Sequence, residues 1–317
     1  MKAHGLMALL AVAVLMNGCI QQTSPKDEPV SQPAQMNSYP VMFGMKGVAI
    51  TLPQKDFDDM KKADIEVLAT EWGMEQDVAR ARAFLDQAHE AGLKVVMDGG
   101  FSARAWGFTD DDWDNLPAGK RPVWQKYLVQ GWINALKDHP AIYSWDICNE
   151  FGENLPSGAG VENSDWPKSM ITIEQIKQAK ADVLEADPTR PIHVRVYGWD
   201  IGEMPPHVNA LLENKIADII SLNLYSNYLN QGRLQWPTVI EDAGTYFVDV
   251  IKQKAPGVKV WVSLAAFQYP GLFQRPSVDS LTQDIDNAAV INKLDGITFF
   301  CWGRLTSGTI SATGTCR

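Results

Sequence analysis

The chain has 317 residues, of which 45% are apolar and 21% charged, a composition that suits a globular protein with a deep core. With 38 acidic against 28 basic residues the formal net charge is −10, and no basic run stands out that could neutralise phosphates, which argues against a nucleic-acid partner. The five His show no paired metal-ligand spacing, and there is no P-loop or G-x-S-x-G element, so neither a metal nor a cofactor is expected.

Residues 1–19 have the layout of a targeting segment: Lys2 is the positive start, Leu6 to Leu15 the apolar run, and Asn17-Gly18-Cys19 a small-residue cleavage site. The apolar run is too short to span a bilayer. The segment resembles a bacterial lipoprotein signal, with Met16 where Leu is usual. That resemblance implies lipidation of Cys19 and export to the cell envelope, the outer membrane being the expected site, with plain secretion as the alternative. Residues 20–42 are rich in Gln, Ser and Pro, carry Lys26 and show almost no apolar pattern, so they read as a flexible tether, leaving 43–317 as one domain. Cys148, Cys301 and Cys316 are widely spaced and define no disulfide framework.

From residue 45 onward, short β-like runs alternate with amphipathic helices, the pattern of parallel βαβ units. The expected strands are Lys46 to Leu52, Ile65 to Thr70, Leu93 to Asp98, Ile142 to Cys148, Ile192 to Val196, Asp218 to Leu224, Val258 to Leu264 and Gly296 to Trp302. The expected helices are Gln54 to Ala63, Glu75 to Ala91, Val123 to Asp138, Ile173 to Ala186, His207 to Asn214, Val239 to Lys254 and Ser280 to Leu294. In the third helix, Tyr127, Leu128, Gly131 and Leu136 give the apolar stripe. Eight strands and seven helices in strict order, without a glycine-rich loop after the first strand, favour an α/β fold of the (β/α)₈ TIM-barrel type over a doubly wound sheet. The tail Gly303 to Arg317 shows no eighth helix.

In such barrels the site lies at the C-terminal ends of the strands. The polar and aromatic residues expected there are Glu71 and Trp72, Asp98, Asn149 and Glu150, Trp199 and Asp200, Asn223 and Tyr225, and Trp302. Carboxylates and flat rings are the groups that cleavage of a glycosidic bond requires: charge for an oxocarbenium-like transition state and apolar faces for a sugar ring. The 11 Trp suit such a neutral, flat-faced substrate.

The run HPAIYSWDICNE, His139 to Glu150, resembles the fourth strand of the clan A glycoside hydrolases, the retaining barrel enzymes that include cellulases, mannanases and β-galactosidases. ADPTRPI (Ala186 to Ile192), ADIISLNLYSNY (Ala217 to Tyr228) and GITFFCWG (Gly296 to Gly303) are similar to that clan's approach to strand five, its strand six and its strand eight. The resemblance implies Glu150 as the general acid/base, Asn149 on the sugar 2-hydroxyl, Tyr225 near the nucleophile and Trp302 as a stacking floor. It also implies a carbohydrate ligand, with the membrane reached only through the lipid anchor.

One departure bears on the chemistry. The clan's nucleophile is a Glu at the end of strand seven, and here that strand reads VKVWVSLAAFQ, with Leu264 at the matching position and Ser263 and Gln268 the nearest polar residues. Glu71 is the preferred second carboxylate, ahead of Asp98 and Asp200. A substrate acetamido group acting as nucleophile is the third option, and Cys148 stands where that pattern carries an acid. The expectation is a glycoside hydrolase acting on β-linked polysaccharide or oligosaccharide. The competing expectation is a cell-surface glycan-binding lipoprotein that has lost the nucleophile. Trp72, Asp98, Trp199, Asn223, Tyr225, Gln268 and Trp302 are the substrate-binding candidates in either case.

Overall fold

Eight parallel strands close into a ring in which each pairs with its sequence neighbours and the last with the first. The structure is a computed structural model and describes residues 42–48, 52–70, 77–98, 106–107, 123–149, 172–198, 204–228, 237–268 and 273–300, with the backbone alone at 46–48, 98, 149, 197 and 206. The strands are β1 (Met42–Val48), β2 (Val67–Thr70), β3 (Lys94–Asp98), β4 (Ile142–Asn149), β5 (Ile192–Tyr197), β6 (Ile219–Leu224), β7 (Lys259–Ala265) and β8 (Gly296–Phe300). Between them run α1 (Gln54–Lys62), α2 (Val78–Glu90), α3 (Lys126–Leu136), α4 (Ile173–Ala186), α5 (Pro206–Glu213), α6 (Val239–Lys254) and α7 (Val278–Ala289). This is the (β/α)₈ barrel that the alternation predicts, as a single domain with seven helices among the described residues.

Alternation along each strand sorts its residues onto two faces. One face packs on the helices: Leu68, Val95, Ile147, Val194, Leu222, Leu264 and Phe299 share a cluster with helix residues such as Phe57, Phe84, Ile133, Val183, Phe247 and Ile285. The other face fills the barrel, where Val67, Ala69, Val96, Ile219 and Trp261 form a separate inner cluster with Tyr143 and Met42 against it. Trp261 fits because its neighbour on β8 is a glycine: a Cβ on Gly296 would stand 2.8 Å from the indole Cδ1.

Helix starts are fixed locally. Asp77 accepts a hydrogen bond from the Ala79 N–H at 2.7 Å, Ser277 from the Ser280 N–H at 3.0 Å, and Thr172 forms a reciprocal capping box with Gln175.

Two expectations are corrected. β1 begins at Met42 rather than Lys46, because pairing of Met42 to Lys46 with β8 and of Gly44 to Val48 with β2 sets its register. In α3 the buried face is Val129, Trp132, Ile133 and Leu136, so Leu136 is in the core as expected, while Tyr127 (89% exposed), Leu128 (41%) and Gly131 face away from it. Apolar residues surround most of this helix, and periodicity alone does not choose among them.

Candidate active site

The inner face changes character along the barrel. Above the Trp261 layer its positions turn polar: Asp146 on β4, His193 and Arg195 on β5, Ser221 and Asn223 on β6, Ser263 on β7 and Thr298 on β8 are all buried. Strands covered on both faces ordinarily read as unbroken apolar runs, so polar residues two apart on consecutive strands mark a lined interior rather than a packed one. The charges among them are matched. Arg195 Nε lies 2.7 Å from Asp146 Oδ2, and His193 Nδ1 lies 3.5 Å from the same oxygen. The His193 ring also packs on Trp261, with centroids 5.3 Å apart.

The entry to β4, at the N-terminal end of the barrel, is anchored from outside the ring. Trp145 Nε1 donates to Asp187 Oδ2 at 2.9 Å, and the same carboxylate accepts from the Thr189 hydroxyl at 2.6 Å, the Thr189 N–H at 3.0 Å and Arg190 Nη1 at 2.9 Å. Burial pushes the Asp187 carboxyl up, but the donors from Thr189, Trp145 and Arg190 outweigh it and hold it below its ordinary value. Arg190 reaches on to the carbonyls of His139 and Ile142. The His-Pro, Trp and DPTRP elements that carry the sequence resemblance thus form one lock between α3, β4 and the turn before β5. It is a scaffold feature at the N-terminal end of the barrel, opposite the mouth.

At the mouth itself, an aromatic wall rises from the C-terminal ends of β6, β7 and β8. Tyr225, 8% exposed, stacks near Phe300 with centroids 6.0 Å apart and meets Phe267 and Phe273 edge-on at 5.2 and 5.9 Å. Its loop is fastened: Asn227 Nδ2 donates to the carbonyls of Phe267 and Gln274 at 2.7 and 2.8 Å, and the Ser226 hydroxyl donates to Asp284 on α7.

Among the predicted site residues, Asn149 is the last residue of β4 and Asp98 the last of β3. Asn149 occupies the register position opposite Arg195, and Asp98 the one opposite Asp146. Asn223 is buried in β6 and pairs with Tyr197 and Ser263. Tyr225 belongs to the aromatic wall, and Gln268 lies exposed just beyond it. Glu150, Glu71, Trp72, Trp199, Asp200, Trp302 and Cys19 lie outside the described residues. Leu264 is buried on the helix-facing side of β7, and the positions that share the face of Trp261 are Ser263 and Ala265. From Lys259 to Ala265 the strand carries no carboxylate on either face. Among the described residues no three His, Cys, Asp or Glu side chains gather in a way that could hold a metal ion.

Asp146, His193, Arg195, Ser221 and Thr298 lie within the strands, away from the strand ends where the sequence points to a site. The usable signal was the repeated two-residue spacing of Ser144/Asp146, His193/Arg195 and Ser221/Asn223 inside otherwise apolar strands.

The sequence matches no protein-family model and no curated protein. The fold is similar to solved structures of glycosidases. A β-galactosidase from the Antarctic haloarchaeon Halorubrum lacusprofundi superposes with a TM-score of 0.62 at 13% identity, over 85% of this chain and 54% of that one. A β-galacturonidase from Eisenbergiella tayi bound to galacturonate gives 0.51 at 17% identity, over 82% and 43%. Bacteroides uniformis β-glucuronidase 2, covalently bound to cyclophellitol-6-carboxylate aziridine, gives 0.51 at 16% identity, over 83% and 30%. The chain therefore spans little more than half, or less, of the length of these enzymes, and at such identities the likeness is one of fold.

Proposed function

We propose that the protein is a glycosidase acting on β-linked oligosaccharide or polysaccharide, with Glu150 as general acid/base and Asn149 as hydrogen-bond partner of the sugar 2-hydroxyl. The observation that carries this reading is that β4 ends on Asn149, the residue before Glu150, at the C-terminal rim of a closed parallel barrel with a polar interior. That rim is where barrel enzymes hold their reacting groups. Fold similarity to glycosidases of β-linked substrates supports the same class.

Because β7 lacks a carboxylate, the second acid is assigned to Glu71, the residue after β2. A separation of about 5–5.5 Å from Glu150 would make it a nucleophile and the reaction retaining, whereas about 6.5–9.5 Å would admit a water and invert. Trp72, Trp199 and Trp302 would offer stacking faces, and Asn223 a buried polar contact.

The test is a panel of aryl β-glycosides (glucoside, galactoside, mannoside, glucuronide, galacturonide) and β-linked polysaccharides, scored separately for binding and product release. Glu150→Gln is expected to lower turnover by about 10²–10⁴-fold while leaving affinity and folding intact. Undiminished turnover in that variant removes Glu150 from the mechanism. Glycan binding without release in the wild type turns the assignment to a glycan-binding lipoprotein.

We also propose that Cys19 is lipidated and tethers the barrel to the envelope through residues 20–42. Metabolic labelling with a fatty acid is expected to mark the wild type and not Cys19→Ser, and equal labelling of both refutes the anchor.

A further inference from the structure

Strict alternation from Asp146, which faces into the barrel against His193, would place Cys148 inward and Asn149 on the helix side. The pairing does otherwise. Asp146 lies opposite His193 and Cys148 opposite Val194, with a register shift between them, so Asn149 arrives opposite Arg195. Three steps along β4 thus match two along β5. This is a bulge at Ile147, whose side chain and that of Cys148 both join the helix-facing cluster. Bulges of this kind re-aim the residues beyond them. Here the shift brings the Asn149 backbone to the register position of Arg195, which is on the inward row of β5.

The Asp146–Arg195 ion pair spans that bulge diagonally. Both side chains are at most 1% exposed, in a barrel whose neighbouring layer is Val67, Ala69, Val96, Ile219 and Trp261. A buried ion pair in such surroundings contributes little net stability over an apolar pair of the same volume, which points to a role in specifying one conformation. The carboxylate lies 2.7 Å from Arg195 Nε and 3.5 Å from His193 Nδ1, and the His193 ring packs on Trp261. Arg195 sits between Asn149 and Ser221 in the register, so holding it holds the row.

We propose that Asp146 and Arg195 are positioning residues that maintain the β4 bulge and so deliver Asn149 to the inward-facing row of the candidate site. The inference rests on the glycosidase reading above. An interaction with the sugar 2-hydroxyl strengthens in the transition state, so loss of the bulge register lowers kcat with little change in KM.

The experiment uses the full chain and the aryl β-glycoside on which the wild type turns over fastest. The double substitution Asp146→Leu/Arg195→Met removes both charges at similar volume. Its melting temperature is expected to stay near that of the wild type, while kcat falls on the order of 10- to 100-fold at nearly constant KM. Wild-type kcat in the folded double variant overturns the inference and leaves the glycosidase reading standing. Should that variant fail to fold, Arg195→Lys keeps a cation opposite Asp146 but loses the guanidinium fork. A loss of about tenfold or more in kcat per folded molecule is expected there too, and wild-type kcat again overturns the proposal. A wild type inert on the whole panel sinks the enzymatic reading, and this inference with it.

Discussion

Asp187 shows how one carboxylate makes a sequence motif necessary. Its four donors come from Trp145 on β4 and from Thr189 and Arg190 in its own turn. An amide at this position has one acceptor oxygen and would present N–H groups to donors. Hydrogen bonds to a charged group contribute about 1.5–3 kcal/mol each, so Asp187→Asn should destabilise the barrel by about 2 kcal/mol at neutral pH. The pH dependence follows from the depressed carboxyl. A group whose folded pKa lies below its unfolded value, about 3.9 for Asp, stabilises fully above that value, and the contribution is lost as pH falls through the folded pKa. The gap between wild-type and Asp187→Asn unfolding free energies should therefore narrow below about pH 4. A gap that stays constant down to acid pH would mean that Asp187 acts through shape and not through its charge.

The same residue explains what could be read in advance. The Trp145 and DPTRP elements were legible as parts of a resemblance, and the physical reason they occur together is the Trp145–Asp187 hydrogen bond. Asn223 and Tyr225 were legible as polar and aromatic residues near a strand end, although the wall that Tyr225 joins with Phe267, Phe273 and Phe300 depends on contacts between three strands. The Asp146–Arg195 pair is not legible in the sequence. Its partners lie 49 positions apart on neighbouring strands, and only the register brings them together.

At the scale of elements, legibility follows how local the determining interactions are. α4 was bounded correctly at both ends because its stop and start signals sit in the sequence: the Thr172/Gln175 capping box before it and Asp187-Pro188 after it. α3 lacks a side-chain cap and is apolar over much of its surface, so its orientation was settled only by what Val129, Trp132 and Ile133 could pack against. β1 was displaced by four residues because residues 42–52 are apolar almost throughout, and nothing within that run says which part pairs. Its partners, β2 and β8, decide the matter, and one of them lies at the other end of the described chain.

Closure of the ring at that seam is the most non-local event in the molecule, joining residues 42–46 to 296–300. It relies on close backbone approach at Gly44, where a Cβ would stand 2.6 Å from Val67 Cγ1 and 3.1 Å from both the Val67 carbonyl oxygen and Thr298 Cγ2. The valine could shift, but the carbonyl belongs to β2 and the threonine to β8, so relief on one side tightens the other. Gly44→Ala is expected to destabilise the fold by about 1–3 kcal/mol, the usual cost of overpacking a filled interior. Gly131→Ala is the matched control: on the exposed side of α3 its Cβ would meet nothing within 4 Å. That substitution should stabilise by about 0.5–1 kcal/mol by removing the entropy penalty of glycine in a helix. Denaturant midpoints of the two variants should move in opposite directions from the wild type. A weakened seam also exposes unpaired strand edges, so Gly44→Ala should aggregate on heating before the wild type does. Equal and small shifts of the same sign in both variants would mean that the β1–β8 seam has room to spare and that closure does not depend on Gly44.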